Sequence, residues 1–153
     1  VENVERLLME HPFFQGLDPR YLKEIAGCAR EQTFKAGEFV FREGEMSSQF
    51  WLIRHGKVSL EIFVPGRGPI TFSTLGAGDV MGWSWTVAPF TKQYDGRALE
   101  LIRTLTFDAM CIRTKCDEEP KLGYELYKRF SQVIGKRLQA TRMQLLDFYG
   151  HHD

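Results

Sequence analysis

Between residues 37 and 78 glycine recurs at Gly37, Gly44, Gly56, Gly66, Gly68, Gly76 and Gly78, and the segments between are short and rich in Phe, Val, Ile and Leu. This punctuation is that of strands joined by tight turns, where glycine supplies backbone angles other residues avoid. FVF (39–41), FWLI (50–53), KVSLEIFV (57–64) and ITFSTL (70–75) read as strands. In the third, Val58, Leu60 and Ile62 alternate with Ser59, Glu61 and Phe63, the period of a half-buried strand. PGRG (65–68) reads as the hairpin turn to the fourth. Strands at this spacing, with no helix between them, predict an antiparallel barrel or jelly roll. Strand character resumes after Arg97 and runs to about residue 113.

Helical patterns flank this block. Val4, Leu7 and Leu8 suit a short helix that Pro12 stops. Asp18-Pro19 is a helix start, with Asp as N-cap and Pro in the first position. That helix should turn Tyr21, Leu22, Ile25 and Ala26 inward and end near Cys28. After Glu118 a short helix over 120–130 leads into, or fuses with, a long one. There Tyr127, Ile134, Thr141 and Phe148 recur every seven residues, and Leu138 and Leu145 fall four after the middle pair. Two readings of that seam stand: a helix packed on its own barrel, or a helix–helix dimer seam. The expected organisation is a single domain over 1–153, mostly β with flanking helices: N-terminal helices over 1–29, the jelly roll over 30–116 and C-terminal helices over 117–150.

Charge and composition exclude several functions. Twenty basic residues balance twenty acidic ones, so the chain lacks the basic excess of a general nucleic-acid-binding surface. No run approaches eighteen apolar residues, so no membrane partner is expected, and VENVERLLMEH is not a signal peptide. Three cysteines (Cys28, Cys111, Cys116) do not make a full disulfide set and point to a reducing cytoplasm. Cys111 and Cys116 match no zinc spacing and, in strand context, read as buried or edge thiols. His55 is the one histidine of the predicted barrel and reads as an exposed turn residue, not a metal ligand. Neither a G-x-S-x-G elbow nor a Walker A lysine is present. The chain is therefore expected not to be an enzyme.

The stretch LGAGDVMGWSWTVAPFTKQYDGR (75–97) has the parts of an anion cradle. Gly76, Gly78 and Gly82 free backbone amides to face an anion, and Arg97 offers a planar charged fork. Arg97 equally suits a surface ion pair with Asp95 or Glu100. Trp83 and Trp85 read either as core filler or as an aromatic wall for a ligand.

Taken together, GEFVFREGEMSSQFWLIRHGKVSL (37–60), LGAGDVMG (75–82), FFQGL (13–17) and the closing long helix resemble the cyclic nucleotide-binding domain over nearly the whole chain. RLQAT (137–141) is similar to the equivalent helix of bacterial catabolite activator proteins. The resemblance implies a jelly roll in which a short cassette helix and an arginine hold a cyclic phosphate. It also implies a glutamate after the cassette glycine for the ribose, and a long helix that lids the base and makes a homodimer. The ligand so implied is cyclic AMP or cyclic GMP. The corresponding residues here are Gly82, Trp83 and Ser84 in the cassette, Arg97 and Ala98 after it, and Thr141 facing the base.

The match departs at Trp83, which stands where the family has Glu and is a donor only. The Gly82–Arg97 interval is about four residues longer than in the catabolite activator proteins, Arg142 replaces a base-contacting Ser, and Arg103 fits the next strand better than the cassette. The expected function is a regulatory ligand-sensing module that couples binding in the jelly roll to movement of the C-terminal helix. The alternatives are a ligand-free domain for protein–protein interaction or dimerisation, and the sensor half of a transcription regulator. No helix-turn-helix follows Tyr149, so no DNA-binding element is expected in this chain.

Overall fold

The structure, a computed structural model, describes residues 2–150. Its helices are α1 (Glu2–Glu10), α2 (Pro19–Ala26), α3 (Ala109–Glu118) and α4 (Pro120–Gly150), with single 3-10 turns at Pro12–Phe14 and Trp83–Thr86. Its strands are β1 (Ala29–Phe34), β2 (Phe39–Phe41), β3 (Gln49–His55), β4 (Val58–Val64), β5 (Gly68–Leu75), β6 (Val80–Met81), β7 (Asp95–Ala98) and β8 (Ile102–Asp108). They form two antiparallel four-stranded sheets, ordered β1-β8-β3-β6 and β2-β7-β4-β5, the jelly roll expected from the glycine punctuation.

Strand periodicity explains why there are two cores. On β3, Phe50 and Leu52 face a cluster shared with the helices, and Trp51 and Ile53 face a second cluster shared with the other sheet. The first cluster joins Phe14, Ile25, Trp85, Phe107, Ile112, Leu126 and Phe130; the second joins Phe41, Val58, Leu60, Met81, Ala98 and Ile102. The sheet β1-β8-β3-β6 is therefore apolar on both sides and anchors the helices to the roll.

The helix signals act as expected at α2, where Asp18 accepts the Arg20 N–H with Pro19 in the first turn. Leu22 and Ile25 are buried and the helix ends at Ala26. The two C-terminal patterns fuse into one helix, α4, of 31 residues. Its buried residues, Leu122, Gly123, Leu126 and Phe130, all lie in the first half. Gly123 permits the close approach of α3, since a Cβ there would lie 3.2 Å from that of Cys116. Buried His11 ties the first 3-10 turn to β3: its Nδ1 accepts the Phe13 N–H, so Nε2 carries the proton and donates to the Ile53 carbonyl. Burial holds its pKa below the ordinary histidine value.

Three expectations are corrected. The strand after Arg97 ends at Asp108, not near 113, because the Asp108 carboxylate accepts the Cys111 N–H and caps α3. Cys111 is thus helical, and it is disulfide-bonded to Cys28 rather than a free thiol; Cys116 is a free buried thiol on the same helix. The disulfide removes the cysteine count as an argument for a reducing compartment. On β4 the alternation is present but does not divide core from solvent: Ser59 and Glu61 are as buried as Val58 and Leu60, while Ile62 and Phe63 are exposed. The strand enters the roll with both faces covered and leaves it at the hairpin end, where Val64 pairs with Gly68.

Candidate functional site

The residues from Gly82 to Thr86 form a short turn at the mouth of the roll. Gly82 starts it with φ 92°, in the left-handed region. No side chain fits there, since a Cβ would lie 2.9 Å from Lys92 Nζ and 3.1 Å from Trp51 Cζ3. Ser84 is buried and its hydroxyl donates to that of Ser47 at 3.1 Å. Trp83 donates its indole N–H to the Tyr94 hydroxyl at 3.0 Å. Trp85 is fully buried in the helical core, stacked on Phe50 at 5.4 Å and edge-on to Phe130 of α4 at 5.2 Å. Of the two tryptophans, then, Trp85 fills the core and Trp83 borders the cassette. The cavity left there, about 10 Å³ among Phe41, Gly82, Trp83, Ser84, Lys92, Gln93 and Tyr94, has room for about one water.

Arg97 lies on β7 opposite Ser59 of β4. Its Nε and Nη2 both donate to Oε2 of Glu61, at 3.0 and 2.7 Å. The expected alternative partners, Asp95 and Glu100, are not the ones used. Asp95 instead accepts the Glu43 N–H at 2.7 Å and pairs with Arg42 at 3.4 Å. The pair is asymmetric: the Glu61 side chain is 2% exposed and that of Arg97 38%. A guanidinium with five donors, two of them on one oxygen, retains donors for a further anion. Ala98 is buried in the interior cluster, and its N–H donates to the Glu38 carbonyl at 2.8 Å.

Thr141 is exposed on α4 and bonds the Arg137 carbonyl one turn back at 2.9 Å. Nearer the cassette, Arg137 Nη2 donates to the Val80 carbonyl, two residues before Gly82, and its Nη1 is buried without a partner. Gln144 of α4 donates to the Phe72 carbonyl of β5 at 2.8 Å. Thus Gly82, Trp83 and Ser84 form one turn, Arg97 and Ala98 sit on the neighbouring sheet, and α4 reaches the roll through Arg137 and Gln144 rather than through Thr141.

Several contributors carry no signal in the sequence. The long Gly82–Arg97 interval pairs with the 43–48 loop: Lys92 N–H donates to the Glu45 carbonyl, Gly44 N–H to the Lys92 carbonyl and Ser47 N–H to the Phe90 carbonyl. Arg113 of α3 holds the same interval, with its guanidinium 4.5 Å from the Phe90 ring and donating to the Trp85 carbonyl. This pairing turns the Lys92 side chain inward behind Gly82. Burial pushes its pKa down to about 7. Glu61 reads only as one of the alternate residues of a half-buried strand, and Tyr94 and Lys92 only as part of an aromatic-polar loop.

A two-sheet roll, a glycine-started turn and a long helix packed directly on that turn define the architecture of the domain. The sequence model of the cyclic nucleotide-binding domain matches residues 31–119, more than half of the chain, and the chain belongs to that family. The CRP-like cAMP-activated global transcriptional regulator of Mycobacterium tuberculosis is 22% identical over 144 residues, covering 94% of this chain and 62% of that protein. The chain thus spans less than two thirds of that regulator. A cyclic nucleotide-binding domain from Methylobacillus flagellatus shares the fold with a TM-score of 0.80 at 16% identity, over 95% of this chain and 82% of that one. The catabolite activator protein of Thermus thermophilus does so with a TM-score of 0.70 at 20% identity, over 90% and 63%. Among the described residues no helix is long and apolar enough to cross a membrane.

Proposed function

We propose that the chain is a non-catalytic regulatory module that senses a small ligand, in the first instance cyclic AMP or cyclic GMP, at the cassette and reports occupancy through α4. The carrying observation is the direct link between the two: Trp85 of the cassette turn is packed edge-on against Phe130 of α4. Gly82, Trp83, Ser84, Arg97 and Ala98 would hold the ribose phosphate. Thr141 would have to release the Arg137 carbonyl to meet a base. The closed cavity means that a ligand must first part Trp83 from Tyr94. Occupancy then shifts the balance between closed and open forms only by the ligand's preference for the open one. In this reading the whole chain acts as one unit, and a transcription regulator's sensor half is the same device with a different output.

Titration calorimetry tests it. Weak saturable heats are expected with cyclic AMP or cyclic GMP at millimolar concentration. Removing Arg97 alone would leave Glu61 buried and unpaired, so Arg97→Ala is combined with Glu61→Gln, and that variant should give no heat. Trp83→Glu replaces a donor with an acceptor for the ribose and should tighten binding by tenfold or more, the worth of a charged hydrogen bond at about 1.5–3 kcal/mol. No heat in the wild type and in Trp83→Glu alike would leave the second reading, a ligand-free interaction domain. That reading draws on the roughly 10 Å³ cavity.

We infer further that α4 forms a homodimer seam. Leu138 and Leu145, four residues after Ile134 and Thr141, are 52% and 55% exposed on the second half of the helix. Isolated apolar residues are common on surfaces, but a heptad-spaced row is the pattern of helix pairing. Leu138→Glu with Leu145→Glu should convert a dimer to a monomer in sedimentation analysis. A monomeric wild type at tens of micromolar concentration would end this part of the reading.

A further inference from the structure

A groove of about 640 Å³ lies between α1 and the turn end of β3, and it shares no lining residue with the cassette cavity. Leu7, Pro12 and Ile53 supply its apolar part, Arg54, His55 and Arg103 its basic part, and Glu10 its one carboxylate. The wall is fixed by the fold. Buried His11 lines it with both ring nitrogens occupied, Nδ1 by the Phe13 N–H and Nε2 by the Ile53 carbonyl, so it shapes the groove and is not free to meet a ligand. Gly56, at φ 95°, lets the turn after His55 close on the start of β8, since a Cβ there would lie 2.5 Å from the Leu101 carbonyl oxygen. The register of β3 on β8 shifts between Ile53 and His55, and a bulge of this kind re-aims side chains.

The basic groups of the groove are under-used. Arg103 and His55 are register partners on β8 and β3, both exposed, and neither has a hydrogen-bond or ion-pair partner among the described residues. Arg54, with its side chain 28% exposed, uses Nη1 on Glu31 at 3.1 Å, an acid outside the groove, and its fork keeps other donors. An ion pair so open to solvent is weak and readily shared with a second anion. Two guanidinium groups on one lining call for more negative charge than one carboxylate brings. A phosphate monoester carries about two negative charges at neutral pH, and its oxygens match the planar fork of arginine. Glu10 repels further charge on the rest of such a molecule but accepts the hydrogen bond of a hydroxyl. The volume suits a small molecule rather than a bare ion.

We propose that this groove is a ligand site of its own for a small hydroxylated phosphate ester of the sugar phosphate class. Arg103 holds the phosphate, with Arg54 and His55 beside it, and the body lies along Leu7 and Pro12, where Glu10 accepts a hydroxyl. The site stands whether or not a cyclic nucleotide binds in front of Gly82.

Glucose 6-phosphate serves as the probe, in titration calorimetry on the full chain, with glucose and inorganic phosphate as comparisons. Saturable heat is expected with glucose 6-phosphate at millimolar concentration, none with glucose, and weaker binding with inorganic phosphate. Arg103→Gln should weaken glucose 6-phosphate by about tenfold or more, the scale of one lost charged contact. Ala77→Glu, at an exposed position on the same lining, adds a negative charge and should weaken it as well. Arg97→Ala combined with Glu61→Gln alters the cassette alone and should leave it unchanged. The proposal is overturned by any of three results: no saturable heat with glucose 6-phosphate, equal affinity for inorganic phosphate, or unchanged affinity in Arg103→Gln and Ala77→Glu.

Discussion

Reduction of the Cys28–Cys111 disulfide, or Cys28→Ser, is expected to lower the unfolding free energy by about 4 kcal/mol, from the loop-closure entropy of a long cross-linked segment. The bridge spans a sequence separation of 83, with Cα atoms 5.6 Å apart. It encloses nearly the whole jelly roll in one loop and ties the start of β1 to the first turn of α3. Both ends are fixed by the fold: the Cys28 N–H donates to the Ile25 carbonyl, the Cys28 carbonyl accepts the Asp108 N–H, and Asp108 caps the helix that carries Cys111. The unfolded chain would therefore lose freedom while the folded chain loses little. Exchange with the third cysteine is disfavoured, because Cys116 is buried and its pKa is pushed up to about 11, leaving little thiolate at neutral pH. Urea unfolding with and without reductant measures the difference. Coincident midpoints would show that the bridge does not hold the fold.

That disulfide also marks the boundary of what the sequence could disclose. Glycine spacing and strand alternation register local geometry, so they located the roll, the hairpin at 65–68 and the Asp18-Pro19 helix start. Asp108 caps a helix by the same chemistry as Asp18, yet the apolar run before it, Leu101 to Phe107, carried the strand pattern past the true stop. Pairing of Cys28 with Cys111 depends on where α2 and α3 meet, which no local pattern encodes. The same holds at the cassette. Gly82 and Arg97 read as parts of an anion cradle in the sequence, but the Glu61 that Arg97 pairs with comes from a neighbouring strand. Lys92 lies in a polar run where a lysine is normally solvated; only pairing of its loop with residues 43–48 turns it inward. Burial of Ser59 and Glu61 likewise follows from both faces of β4 being covered, a property of the roll as a whole.

Trp85→Ala is expected to cost about 3–5 kcal/mol, the range for removing a fully buried large aromatic, and to loosen α4 from the cassette in the same step. The indole is 0% exposed and touches three rings: Phe50 at 5.4 Å in a near-parallel stack, Phe130 at 5.2 Å edge-on and Tyr127 at 5.4 Å. Phe50 belongs to β3 and the other two to α4, so one side chain joins the cassette turn to both the sheet and the helix. Its contribution is shape rather than hydrogen bonding, because Nε1 is buried without a partner. Trp85→Phe keeps an aromatic ring and removes that unsatisfied donor, which offsets part of the lost contact; its cost should stay below about 1.5 kcal/mol, as for a near-conservative core exchange. Arg113, which donates to the Trp85 main-chain carbonyl, is kept by both variants, so the backbone of the turn remains anchored to α3. Urea unfolding ranks the two variants. Amide hydrogen exchange in α4 around Leu126–Phe130, compared at matched global stability, then separates a local loosening from general destabilisation. Unchanged protection there in Trp85→Ala would mean that α4 does not register the cassette through this ring, and that a signal from a bound ligand passes instead through the polar contacts of α4 with the roll, Arg137 on the Val80 carbonyl and Gln144 on the Phe72 carbonyl.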